Sequence, residues 1–491
     1  MTGQILKLHE KLINKEISSQ SLTEKYISSI KLNNPVLNAY ITVTENEAFR
    51  LAEMADKKFD SGKKTDLICG IPMALKDNIC TKDILTTCGS EMLFNFKPIY
   101  NAFACEKLLD NGAVLLGKTN MDEFGMGSTG ETSYFGETKN PFDTTRVPGG
   151  SSSGSACAVA KDMAVYALGS DTGGSVRQPA GFCGLIGLKP TYGAVSRYGL
   201  IAYASSFDQI GVLAKSAQDA AIVFDRISAH DNKDLTCAPL KRKPAFDTLQ
   251  KDIKGLKIGI IESLFENLEY STHLLINKAI KFLEESGVSF YKVEIENINK
   301  ILPAYYILAC AEASSNLARY DGVRYGYRTK DFKDTNEMII KSRSEAFGSE
   351  VKRRIMLGSF SLRSGYYDEY YKKADRAKKS LTVSFLKALS EVDMLLCPTA
   401  LTSAFKAGEF KNSDPTKMYL TDLCTVSANI TGLPAINIPC GFDKNNMPVG
   451  FQLIGRKFEE YLLLNTAYKY EEENYKIMYK KPVSGGDCFE L

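Results

Sequence analysis

RVPGGSSSGSACAVAKDMAVYALGSDTGGSVRQPAGFCGLIGLKP, residues 146–190, is the stretch around which the rest of the chain is organised. Two clusters of Gly and Ser, 149–155 and 169–175, flank a run of small and apolar residues. A flexible Gly/Ser linker is polar throughout. Here 156–159 and 165–168 are apolar and belong in a core. The pattern predicts a helix over 154–161, a strand over 163–169 and then a Gly-Gly-Ser turn. That order returns the chain beside its start and makes Ser151 and Ser175 neighbours. Glycine lets another group approach the main chain closely, and successive N–H groups in such a turn form an anion-binding hollow. A serine ending that turn is a candidate nucleophile with its oxyanion site built in.

Composition sets wide bounds. The chain has 491 residues, 44% hydrophobic and 24% charged, so a large packed core is expected. A net charge of +3 does not by itself mark a nucleic-acid surface. No apolar run approaches the roughly 20 residues that cross a bilayer, and the N-terminal MTGQILKLHEKLINKE has no signal-peptide core. We therefore expect a cytoplasmic protein without a membrane partner. The 12 cysteines contain no CxxC pair and read as reduced, buried thiols. No metal-ligand cluster is visible, so no metal is expected. The three histidines, His9, His230 and His273, lie in polar, helical-looking stretches away from any nucleophile motif. A Ser-His-Asp triad formed through folding stays open, but lysine is the usual substitute base.

Upstream, helices are predicted over 4–15, 21–32 and 46–60. Ser21 and Glu24 have capping-box spacing, and Asn33-Asn34-Pro35 is read as the end of the second helix. GIPMALKDN, 70–78, is an apolar run too short for a helix that ends in a charge. It reads as a buried strand delivering Lys76, although a solvated surface lysine is the ordinary case. A helix over 102–111 and a strand over 113–117 lead into a polar loop, 118–128, of the kind that binds ligands at strand ends. Downstream the pattern stays α/β. Strands are predicted over 256–261, 288–295, 393–397, 435–440 and 449–454. Helices are predicted over 272–285, 303–318, 346–357, 366–389 and 459–472. No repeat or linker divides the chain.

GGSSSGSA (149–156), GSDTGGSVRQPA (169–180), GLKPTYG (187–193) and the upstream GIPMALKDN (70–78) together resemble the amidase signature family in order, residue type and spacing. Ser153 stands where Gly is common in that family. The resemblance implies an α/β chain with the amidase signature fold, a large mixed β-sheet covered by helices on both faces. It also implies one amidase domain over 1–491, with N-terminal helices to about 60, a signature core over about 65–215 and a C-terminal α/β part over about 250–480. Its catalytic triad would be Ser175 as nucleophile, Ser151, in a cis-peptide turn, as proton relay, and Lys76 as base. The oxyanion hole would be formed by the N–H groups of Thr172, Gly173, Gly174 and Ser175. A lysine with an ordinary pKa of about 10.4 must be made neutral to act as a base, and desolvation behind an apolar strand does this. From position, Asp171 and Arg177 are expected to brace the turn. Asp77 should face away from Lys76, since strand neighbours point to opposite sides.

Within the family, further stretches resemble the glutamine-hydrolysing subunits of tRNA-dependent amidotransferases. They include TNMDEFGMGSTGETSYFG (119–136), EASSNLARYDGVRYGYR (312–328), EVKRRIMLGSFSLRSGYYDEYYKKA (350–374) and YLTDLCTVSANITGLPAINIPCG (419–441). The resemblance implies glutamine as the small-molecule substrate. Its ammonia would pass through a channel to a partner subunit that mainly holds the misacylated tRNA, and a third, small subunit would wrap the interface, making a heterotrimer with subunits B and C. No cofactor is implied for this chain; ATP and magnesium would serve the partner. Arg354 is assigned to the substrate carboxylate, with Arg353 the competing choice, and Asp422 to the amine, with Tyr306 nearby. Ser128 is a polar pocket group, although GSTGET at 127–132 departs from the Ser-Ser-Thr-Glu of relatives. A stand-alone amidase acting on another small amide is the alternative, and a tRNA-binding scaffold with a disused site the more distant one.

Overall fold

A computed structural model describes residues 3–239, 243–411 and 414–482. Eleven strands form one sheet: β1 (Tyr40–Val43), β2 (Pro72–Lys76), β3 (Val114–Thr119), β4 (Tyr166–Asp171), β5 (Ile186–Lys189), β6 (Gln209–Ala214), β7 (Lys257–Ile261), β8 (Ser289–Val293), β9 (Met394–Pro398), β10 (Ala435–Phe442) and β11 (Pro448–Gly455). Their order is β1-β3-β2-β4-β6-β5-β10-β11-β9-β7-β8. The pairs β2–β3, β2–β4, β7–β8 and β7–β9 are parallel and the remainder antiparallel, so the sheet is mixed. Every residue of β2, β3, β4, β5, β6, β9 and β11 is buried. Successive strand side chains point to opposite faces, so helices must cover both. The signature core and the C-terminal part contribute to the same sheet.

Most expected elements are present with boundaries moved by a few residues. The second helix differs more. It runs Ser19–Leu37, straight through Pro35, and ends at Asn38 in the left-handed conformation. The asparagines that read as a stop are spent on side-chain bonds instead: Asn33 donates to Ser29 O and Asn34 accepts from Tyr40 N. Its N-cap is Ser18, whose hydroxyl accepts from Ser21 N in a reciprocal box, not Ser21 paired with Glu24. The strand expected over 163–169 begins and ends later, because pairing with β6 continues to Asp171. The central strands β5 and β6 and edge strand β1 had no distinct sequence signal. A second buried cluster, aromatic-rich, packs helices Ile301–Asn316, Ser349–Leu362 and Tyr371–Glu391 beside Tyr203 and Phe207.

Candidate active site

β2 lies between β3 and β4, so Lys76 at its end is completely buried. Strand alternation sorts the charges. Lys76 faces Ser151 and Ser170, whereas Asp77 turns away to Lys118, 3.7 Å distant, and to Thr87. On β4, Ser170 faces Lys76 and Asp171 faces Arg177. The lysine Nζ lies 2.7 Å from Ser151 Oγ, 2.9 Å from Ser170 Oγ and 3.3 Å from Ser170 O. A carbonyl oxygen only accepts, so a neutral amine gives one N–H to Ser170 O and the other to Ser170 Oγ. Its lone pair is left for the Ser151 hydroxyl. Burial drives the Lys76 pKa down to about 7, against the opposing pull of Asp122 and Asp171. Ser170 is a site residue that sequence reasoning missed; it lies inside the quoted motif, but only strand alternation identifies it.

The turn that carries Ser175 sits beside this pair. Ser152 N–H donates to Ser175 O at 3.1 Å, and the Gly150–Ser151 peptide is cis. Ser175 is partly buried. Among the described residues no hydrogen bond joins the Ser151 and Ser175 hydroxyls, so the expected relay is closed only on its lysine side. Catalytic contacts of this kind tighten when substrate binds.

The Gly-Gly pair of the turn is demanded by crowding. A Cβ on Gly173 would run into the Tyr305 hydroxyl, and one on Gly174, at φ +129°, into Thr425 Oγ1. Thr425 Oγ1 in turn donates to Gly173 O at 2.6 Å. Asp171 closes the turn by accepting from Gly174 N at 2.9 Å and Val176 N at 3.1 Å. This corrects the expected oxyanion set. The Gly174 N–H is already engaged, leaving Thr172, Gly173 and Ser175, whose N–H groups meet no acceptor among the described residues. The brace behind the turn is as expected and more extensive. Arg177 donates to both oxygens of Asp171, at 3.0 and 3.1 Å, and also to Thr425 O, Gln452 Oε1 and Asn429 Oδ1. Burial by itself would raise the Asp171 carboxyl, but Arg177, Lys189 and Asn429 hold it well below the usual carboxylate range.

Next to the turn lie two buried charged residues of opposite sign, Asp422 and Arg354. Asp422 accepts from Ser128 Oγ at 2.7 Å and from Tyr306 OH at 2.7 Å, so these three assigned residues come together. Burial pushes the Asp422 carboxyl up to about 6, the two hydroxyls and Arg354 restraining the rise. Arg354 is 2% exposed and packs over the rings of Tyr203, Tyr306 and Tyr419. Its Nε donates to Glu350 Oε1 at 2.8 Å and its Nη1 to Tyr203 OH at 2.8 Å. Nη2 is buried and meets no acceptor among the described residues. Arg353 is 42% exposed and pairs with Glu350 from outside, so of the two arginines only Arg354 is buried. Tyr203, Tyr419 and Glu350 were missed; the spacing of Glu350 four residues before Arg354 was the available signal.

The histidines lie elsewhere. His9 packs on Phe59, His230 bonds Asn232 and His273 lies against Phe265. The eleven described cysteines are free and buried.

Known proteins share this architecture. A family model described as Amidase matches residues 21–464. The chain is 50% identical over 482 residues to the A subunit of the glutamyl-tRNA(Gln) amidotransferase of Caldanaerobacter subterraneus, covering 98% of each chain. It is 48% identical to the protein of the same name in Thermosynechococcus vestitus, covering 95% of this chain and 97% of the relative. The crystal structure of the corresponding Thermotoga maritima protein superposes with a TM-score of 0.80 at 38% identity, over 96% of this chain and 97% of that one. The peptide amidase of Stenotrophomonas maltophilia superposes with a TM-score of 0.83 at 28% identity, over 97% and 98%.

Proposed function

The chain belongs to the amidase family, and from that premise we propose that it is the glutamine-hydrolysing A subunit of a glutamyl-tRNA(Gln) amidotransferase. The observation that carries the substrate is the pocket. Arg354 keeps a buried, unspent Nη2 for a carboxylate, and Asp422 presents an anion for an amine. A free α-amino acid needs one of each, and an arginine suits a carboxylate by charge and by shape.

In this reading Ser175 Oγ attacks the side-chain amide carbon of glutamine while its proton passes to Ser151 and that of Ser151 to the neutral Lys76. The oxyanion forms against the N–H groups of Thr172, Gly173 and Ser175. Collapse breaks the C–N bond, Lys76 returns the proton through Ser151 to the leaving nitrogen, and ammonia departs. Water, activated along the same relay, then splits the glutamyl ester and releases glutamate. The ammonia serves one partner subunit, which would use ATP and magnesium to activate Glu-tRNA(Gln) or Asp-tRNA(Asn), while a third, small subunit completes the heterotrimer of this chain with subunits B and C. We place the assembly in the cytoplasm, with tRNA held chiefly by the partner.

The test compares ammonia release from glutamine with release from a simple aliphatic amide lacking both α-groups. Glutamine should be preferred by about 10²-fold or more in kcat/KM, the scale of a site built around polar substrate groups. Equal turnover of the two would return the chain to the stand-alone amidases. Arg354→Met should lower kcat/KM for glutamine by about 10²-fold, since a charged hydrogen bond is worth about 1.5–3 kcal/mol, and Glu350 keeps only Arg353 and Tyr419 as partners. Turnover of the simple amide should hold. An equal loss for both substrates would show that Arg354 supports the fold and not the substrate.

A further inference from the structure

Glu123 is a buried carboxylate outside the triad and the charged pocket. It is 3% exposed, and burial pushes its carboxyl up to about 7. Buried carboxyls are kept only when bonded or needed, and this one is bonded to two other parts of the chain. Ser90 Oγ donates to its Oε1 at 2.5 Å, and Gly348 N–H donates to its Oε2 at 2.8 Å. Gly348 is the N-cap of helix Ser349–Leu362, the helix that carries Glu350 and Arg354. The contact is close enough that a Cβ on Gly348 would occupy the place of Glu123 Oε2, although its backbone, at φ −67°, is open to any residue.

On its own side Glu123 belongs to the loop that presents Ser128. That loop is cinched at its base: Asp122 accepts from Gly130 N and Thr132 N, and Glu123 N–H donates to Thr132 Oγ1. Phe124 packs on Phe347 with ring centroids 5.7 Å apart, so the same two segments also meet through an apolar contact. Glu123 thus joins the loop whose Ser128 bonds Asp422 to the start of the helix holding Arg354.

We propose that Glu123 is a positioning residue for the glutamine pocket, its carboxylate fixing the separation between the group that reads the α-amine and the group that reads the α-carboxylate. The proposal rests on the glutaminase reading above. It requires that loosening the contact weaken glutamine binding and leave the triad untouched. Gln at 123 accepts from only one of its two donors and sets an N–H against the other. Ala at 348 displaces the same carboxylate from the opposite side.

The experiment uses the full chain as wild type, E123Q, G348A and the double variant. Steady-state glutamine hydrolysis gives KM and kcat. The rate at which phenylmethylsulfonyl fluoride, which has no α-groups, labels Ser175 reports the triad alone. Each single variant should raise KM for glutamine about tenfold, the scale of a small misplacement in a site. Changes in kcat should stay within about threefold and the labelling rate should hold. The double variant should match the singles, because both act on one contact. Unchanged KM in both singles overturns the proposal, as does a labelling rate that falls with glutamine affinity, since that marks a structural role. A wild type that hydrolyses no glutamine overturns the glutaminase reading, and this proposal with it.

Discussion

Lys76→Met lowers kcat for glutamine hydrolysis by about 10⁴-fold or more, the loss typical when one member of a cooperating catalytic set is removed. Methionine fills nearly the same buried volume but carries no lone pair for the Ser151 proton. Far-UV circular dichroism should be unchanged. The thermal midpoint should move only modestly, because losing the Ser151 and Ser170 contacts at about 1–3 kcal/mol is offset by no longer burying an amine. Lys76→Arg should be equally inactive at every pH, since a guanidinium does not give up its proton in a protein. The wild type should show a matching pH dependence. With the amine at about 7, the protonated form that dominates below that value is inert, so kcat/KM climbs as pH rises through about 7 and then levels. Retention of a tenth of the activity by the methionine variant, or a rate that falls over that pH range, would remove Lys76 from the chemistry.

Arg177→Met should be the most destabilising single change around the site, at about 3–5 kcal/mol, because it strands the buried Asp171 charge. Gln452, Asn429 and the Thr425 carbonyl lose a donor in the same step. The measurement is the midpoint of urea denaturation, followed together with activity, since the Asp171 that loses its partner also closes the Gly174 turn. The pair also carries an acid limit. A depressed carboxyl adds stability that is present above its ordinary pKa of about 3.9 and is lost as pH falls toward the native value. Wild-type stability should therefore drop in that acid range, and Asp171→Asn should flatten the drop. A loss under about 1 kcal/mol for Arg177→Met would mean that the brace is redundant.

The order of elements around residues 146–190 could be read from composition and period alone, because small and apolar residues between two glycine turns leave few other arrangements. The brace was also legible, since Asp171 and Arg177 stand on either side of the serine in one short turn. The proline inside helix Ser19–Leu37 is a misleading stop signal, because its cost depends on what neighbouring side chains can replace. Asn33 and Asn34 are spent on local partners instead, Ser29 one helical turn back and Tyr40 at the start of the next strand.

The sequence by itself determined which groups were available: a lysine at the end of an apolar strand, two serine turns in order, a paired arginine and a distant aspartate. Tertiary structure decided which of them act. A lysine becomes a base only by losing water, and that depended on β3 and β4 closing over β2. Glu350 stands three residues before Arg353 and four before Arg354, so both arginines were within reach of it on a helix. Only the packing of Tyr203, Tyr306 and Tyr419 fixed which guanidinium was drawn inside. Desolvation is a property of everything that surrounds a group, and most of what surrounds these two lies far away along the chain.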